Sequence, residues 1–123
     1  MADAFRALII DDDRDLLSLI RRTLEFTAGW EVHTALSGAA GIEVARAVAP
    51  NVILIDVMMP EIDGYEVARR LKADARLGGV PIVLLTARRD LDQRRLAETG
   101  AAGVVFKPFQ PAELARQVRE LCP

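Results

Sequence analysis

Cysteine is nearly missing from this chain. Cys122 is the only one in 123 residues, so no disulfide can form within it, and a reducing, cytoplasmic setting is expected. Long apolar runs are missing too: none approaches the roughly 20 residues that cross a bilayer. No basic segment leading into an apolar stretch opens the chain, so neither secretion nor membrane insertion is indicated. There is no excess of positive charge. Sixteen basic residues face 18 acidic ones, a net charge of −2, which argues against direct nucleic-acid binding. Lysine is scarce: of the 16 basic residues only Lys72 and Lys107 are lysines. In an arginine-rich chain, a lysine at a strand end marks a place where a compact ammonium fits and a guanidinium does not. Most of the arginine pairs 21–22, 69–70, 88–89 and 94–95 read as solvated helix faces, with partner binding the alternative for any one of them.

What is present is ordinary globular material. With 51% hydrophobic and 28% charged residues, the chain holds enough apolar surface for one core, and residues 1–123 are expected to form a single domain. Phe5 to Ile10 reads as an apolar strand ending in Asp11-Asp12-Asp13. A helix follows to Phe26, with Leu17, Ile20 and Leu24 on one stripe and Gly29 as its stop. Glu31 to Ala35 alternates as an edge strand does, and Ser37 caps a second helix carrying Ile42, Ala45 and Val48 inward until Pro50. Val52 to Ile55 is a wholly apolar strand tipped by Asp56. Met58-Met59-Pro60 turns the chain, Asp63-Gly64 signals the next helix, and that helix runs from about Tyr65 to Asp74. Ile82 to Leu85 is another apolar strand ending at Thr86. Asp90 is expected to cap a helix reaching Thr99, with Gly100 as its stop. Gly103 to Phe106 is a last short strand before Lys107-Pro108, and Pro111 opens a final helix through Leu121.

Five β-α repeats with short connections imply a parallel sheet covered by helices on both faces. Right-handed crossovers leave the flavodoxin-like, doubly wound (βα)5 arrangement, with strand order 2-1-3-4-5. In that order the first and third strands are neighbours. Their carboxyl ends flank the point where the winding reverses, which is where such sheets bind ligands.

The unusual residues collect at that edge. Asp11, Asp12 and Asp56 fall at the ends of adjacent strands, and Thr86 and Lys107 end the next two. An unpaired carboxylate at the tip of a buried strand is costly. Three this close raise at least one pKa unless a cation sits among them. Oxygen ligands without His or Cys suit a hard divalent ion, and an open site with few protein ligands favours Mg²⁺. A metal ion, an ammonium, a hydroxyl and one carboxylate free to attack are the equipment for phosphoryl transfer onto that carboxylate.

At these residues the sequence resembles the receiver domain of bacterial two-component response regulators, from Ala7 to about Leu121. The resemblance is carried by the acidic cluster, the IDVMMPEIDG segment, the LLTA of the fourth strand and the KPF after the fifth. It implies that Asp56 is the phosphoacceptor and that Asp11 and Asp12 hold Mg²⁺, with the backbone carbonyl of Met58 as a further ligand. Asp13 is taken as a helix cap. The resemblance also implies that Thr86 and Lys107 contact the phosphoryl group, that Lys107-Pro108 is cis, and that the donor is a sensor histidine kinase or phosphotransfer protein. Such domains catalyse only their own phosphorylation and dephosphorylation. They switch partner binding through the face made by the fourth helix, fifth strand and fifth helix.

Two departures from the pattern stand out. Three residues before the lysine the family carries Tyr or Phe, whose ring rotates when Thr86 moves. Here that residue is Val104, and Phe106, on the same face of the strand, either fills the core or takes over the ring's role. The acidic residues expected just before the aromatic position are replaced by Ala102 and Gly103. That leaves Glu113 and Arg119 as possible charged partners in a phosphorylation-linked homodimer. Met58 and Arg88 flank the site and are expected to slow water attack, giving a phosphoryl lifetime of minutes or more. Three other readings remain. A flavin mononucleotide carrier fits poorly, because three aspartates stand where a phosphate cradle is needed. A Mg²⁺-dependent aspartyl-phosphate phosphatase, as a family, needs an acid at the position of Met58. A receiver that docks partners without phosphorylation is kept open by Val104. The chain is either a stand-alone regulator or the receiver of a larger one whose output module lies elsewhere.

Overall fold

Each of the five strands is short, and three of them are buried along most of their length. The computed structural model describes residues 4–122; residues 1–3 and 123 of the expected single domain lie outside the described part. In chain order the elements are β1 (Arg6–Ile10), α1 (Arg14–Ala28), β2 (Glu31–Ala35), α2 (Gly38–Val48) and β3 (Val52–Asp56). They continue with α3 (Gly64–Ala73), β4 (Ile82–Thr86), α4 (Gln93–Thr99), β5 (Gly103–Phe106) and α5 (Pro111–Leu121). The strands form one parallel sheet in the order β2-β1-β3-β4-β5, as the alternation of elements requires.

Strand side chains alternate between two apolar layers. Ala7, Ile9, Val52, Leu54, Val83, Leu85 and Val105 face Leu17, Ile20 and Leu24 of α1 and Leu114 and Val118 of α5. Leu8, Ile10, Ile53, Ile55, Ile82 and Leu84 face Ala45 of α2 and Val67, Ala68 and Leu71 of α3. Because both faces are covered, β1, β3 and β4 carry polar residues only at their ends: Arg6 at the amino end of β1, and Asp56 and Thr86 at the carboxyl ends of β3 and β4.

Local chemistry sets the helix ends. Asp13 accepts from Leu16 N and caps α1, Ser37 caps α2 through Ala40 N, and Asp63 caps α3 through Glu66 N. Gly29 and Gly100, with φ of 69° and 62°, end α1 and α4 in the left-handed region. One expected cap is corrected. Asp92, not Asp90, caps α4 by accepting from Arg95 N, so the helix starts two residues later. The Asp92 backbone N–H is held at 3.2 Å by the Tyr65 hydroxyl, while Asp90 is drawn to the Arg88 guanidinium. The two aspartates have equal capping chemistry, and the tertiary contact chooses between them. In α2, the buried residues are Gly38, Gly41 and Ala45, Gly41 lying on Ile10 of β1 and Gly38 on Val67 of the third helix, with Ile42 and Val48 only partly covered. No helix among the described residues is long and apolar enough to cross a membrane.

Candidate functional site

The carboxyl edge of the sheet carries its acidic residues because the neighbouring strands β1 and β3 both lead to them. β1 runs into Asp11, which is fully buried, and Asp12, which is exposed. β3 ends in Asp56, only 5% exposed. Carboxylate oxygens of these three residues lie within 4.8 Å of one another. Lys107, one residue past β5, extends its ammonium across the ends of β4 and β3. Nζ donates to Asp11 Oδ2 at 2.7 Å and stands 3.6 Å from Asp56 Oδ2. Thr86 ends β4 fully buried, and its carbonyl accepts from Lys107 N at 2.8 Å, tying the two strand ends together. The peptide bond between Lys107 and Pro108 is cis, as expected.

The two buried carboxylates are held differently. Asp11 has both oxygens occupied, Oδ1 by Asp13 N at 2.9 Å and Oδ2 by the lysine. Asp56 accepts at Oδ1 from Met58 N at 3.2 Å, which leaves Oδ2 facing the lysine beyond hydrogen-bond distance. Burial, and then the neighbouring Asp11 charge, push the Asp56 carboxyl up to about 6, against the pull of Lys107 and the Met58 N–H. Burial pulls the Lys107 ammonium down, but its hydrogen bond to Asp11 and the two nearby carboxylates outweigh this and hold it above the usual lysine range. Three acids against one ammonium leave a negative excess that suits a divalent cation, and the ligand set is oxygen only.

The loop after β3 is pressed onto the strand. Gly64 N donates to Val57 O at 2.9 Å, and a Cβ at position 64 would collide with the Asp56 carbonyl and Val57 Cα. Only glycine allows α3 to start this close to the site. Beside Thr86 lies a cleft of about 520 Å³ between this loop and the one after β4, walled by Met58, Met59, Tyr65, Arg88 and Leu91. Met58 is half exposed, and the Arg88 guanidinium turns to Asp90.

The site residues expected from the sequence, Asp11, Asp12, Asp56, Thr86, Lys107 and the Met58 backbone, are brought to one edge. Phe106 is not part of the buried core; it is half-buried, on the same strand face as Val104. Glu113 is engaged by Arg116 within α5, and Arg119 lies over the Trp30 ring. Two of the arginine pairs do more than present a solvated face. Arg95 makes a two-pronged pair with Asp63, at 2.7 and 2.8 Å, and lies 4.8 Å over the Tyr65 ring, joining α4 to the start of α3. Arg89 lies 4.2 Å over the Phe106 ring. Nothing in the local sequence distinguishes these arginines from solvated ones.

Among solved structures, the chain matches the Vibrio cholerae chemotaxis protein CheY4 with a TM-score of 0.90, covering 97% of this chain and 99% of that one at 28% identity. A CheY-like response regulator receiver domain protein from Methanospirillum hungatei matches with a TM-score of 0.87 over 96% and 93% of the two chains, at 26% identity. The fold is thus that of CheY-like receivers. Residues 7–119 match the model of the response regulator receiver domain, and the chain belongs to that family, the receivers of two-component signalling. Among curated sequences it is similar to the DNA-binding dual master transcriptional regulator RpaA of Synechocystis, 37% identical over 94% of this chain and 48% of that protein. It is also similar to the DNA-binding response regulator MtrA of Mycolicibacterium smegmatis, 37% identical over 93% of this chain and 49% of that protein. The chain spans about half the length of these relatives.

Proposed function

We propose that this receiver is switched by a phosphoryl group carried on Asp56. The observation that supports this most is the contrast between the two buried carboxylates: Asp11 is saturated with donors, whereas Asp56 keeps Oδ2 free at the mouth of the site. Asp56 is the nucleophile. One of its oxygens attacks phosphorus, the bond from phosphorus to the donor nitrogen breaks with its electron pair staying on nitrogen, and an acyl phosphate remains. Asp11, Asp12, Asp56 and the Met58 carbonyl are the residues that would hold Mg²⁺. When bound, that ion offsets charge on the phosphoryl oxygens. Lys107 supplies a fixed positive charge beside Asp11 and Asp56, and the Thr86 hydroxyl, at the end of the neighbouring strand, would donate to the new oxygens. Water later attacks phosphorus, releasing inorganic phosphate and restoring the carboxylate.

The donor in this reading is a phosphohistidine on a sensor kinase or phosphotransfer protein, and the setting is cytoplasmic. Residues 1–123 act as one unit, with no chemistry on a separate substrate. The DNA-binding names of the longer relatives favour an output module on the same chain or a separate output partner. Incubation with a small phosphodonor and Mg²⁺ tests the core of it. Wild type is expected to gain one phosphoryl group that alkali and hydroxylamine remove, and Asp56→Asn none. Equal labelling of the two would move the acceptor elsewhere.

A further inference from the structure

The residue that covers Phe106 is tied to the residue that faces the phosphoryl site. Thr86 Oγ1 accepts from the Arg88 backbone N–H at 3.0 Å, and this bond shapes the first turn of the loop after β4. The next residue, Arg89, places its guanidinium carbon 4.2 Å from the centroid of the Phe106 ring. Phe106 in turn stands opposite Thr86 in the β4–β5 register, one residue before Lys107. Arg89, Val104, Phe106 and Leu121 line a groove of about 380 Å³ on the face between β5 and α5. Four contiguous links therefore run from the site to an outer surface without passing through position 104, where valine has no ring to rotate.

We propose that Arg89 is a charge-bearing cover over Phe106, seated while Thr86 holds the Arg88 N–H and withdrawn when Thr86 turns to the phosphoryl group. The inference rests on the reading of Asp56 as phosphoacceptor. The physical requirement is simple. The Thr86 side chain is fully buried, and its oxygen is committed to Arg88 N in the structure described here. Rotating it toward Asp56 breaks that bond, and the loop loses the tie that holds position 89. An exposed cation–π contact holds its partner by only about two- to fivefold in population, so the cover yields to a modest pull. Its departure exposes the ring and opens the groove, which makes phosphorylation legible on the α4–β5–α5 side.

Nuclear magnetic resonance on the purified chain tests this directly. The side-chain protons of Arg89 should be shifted upfield by the Phe106 ring, and Phe106→Leu should abolish that shift, fixing the uncovered value. Thr86→Ala, with no ligand added, should move Arg89 toward the uncovered value, whereas Thr86→Ser, which keeps the acceptor oxygen, should not. Adding Mg²⁺ and beryllofluoride, a phosphoryl mimic, should produce bound fluorine signals and the same movement of Arg89 in wild type. Bound fluorine signals with Arg89 unmoved would overturn the cover while leaving the Asp56 reading intact. An Arg89 shift that is the same in Thr86→Ala as in wild type would do so as well. Failure of the mimic to bind wild type at all would remove the Asp56 reading, and the cover's trigger with it.

Discussion

Lys107 and Asp11, 96 residues apart in the chain, meet in a hydrogen-bonded ion pair of 2.7 Å at the floor of the acidic site. Asp11 is fully buried and the lysine side chain is 20% exposed, so the pair is poorly screened by solvent. Removing one partner of such a pair strands the other's charge. Lys107→Ala is expected to destabilise the fold by about 3 kcal/mol at pH 7 without divalent ions, seen as a lower urea midpoint at unchanged slope. An unchanged midpoint would mean that Asp11 gains its stability from Asp13 N alone.

Asp56 acts on stability in the opposite sense. Its folded-state pKa of about 6 lies above its ordinary 3.8, so between those values the folded state binds the proton more tightly than the unfolded chain. Below pH 3.8 the residue is protonated in both states and contributes nothing. As pH rises from 3.8 to 6 the unfolded chain ionises first and the fold loses about 1–3 kcal/mol, a loss complete once the buried charge appears above pH 6. Asp56→Asn is therefore expected to be more stable than wild type at pH 7.5 by that amount, with the two converging near pH 4. Parallel stability curves across this range would contradict the assignment of a strained Asp56.

Asp12 separates metal binding from folding, because it is the exposed member of the cluster. Mg²⁺ at a hundredfold excess over its Kd is expected to stabilise wild type by about 2–3 kcal/mol, reversed by a chelator. Asp12→Asn should fold as wild type does but lose most of that gain. Equal Mg²⁺ stabilisation in the two proteins would place the ion elsewhere.

Met58 bears on the lifetime of the acyl phosphate. It is half exposed and stands at the rim of the cleft beside Thr86. The Arg88 guanidinium is engaged by Asp90, which leaves Met58 as the unpaired side chain at that rim. The phosphorylated protein is expected to persist for minutes or more with Mg²⁺ present, and Met58→Asn to shorten this several-fold. Decay of the wild type within seconds, followed by loss of radiolabel, would show that neither side chain obstructs water.

The strand order, the two apolar layers and the site's acidic members were legible in the residues themselves. Four apolar residues closing on a charge, as in Val52–Asp56, admit few placements, because a doubly covered strand accepts charge only at its end. Caps at Asp13, Ser37 and Asp63 were equally plain, since each needs only a side-chain oxygen three residues before its partner N–H. Other features depended on residues distant in sequence. Whether Asp90 or Asp92 starts α4 rested on the Tyr65 hydroxyl, 27 residues away from Asp92. Whether Phe106 lies in the core or beneath Arg89 rested on how β5 sits at the sheet's edge, where one face has no strand beyond it. Periodicity and local hydrogen bonding act over a few residues and so can be read along the chain. Which arginine finds a ring, and which carboxylate oxygen is left free, is set by packing across the sheet, and only the folded structure decides it.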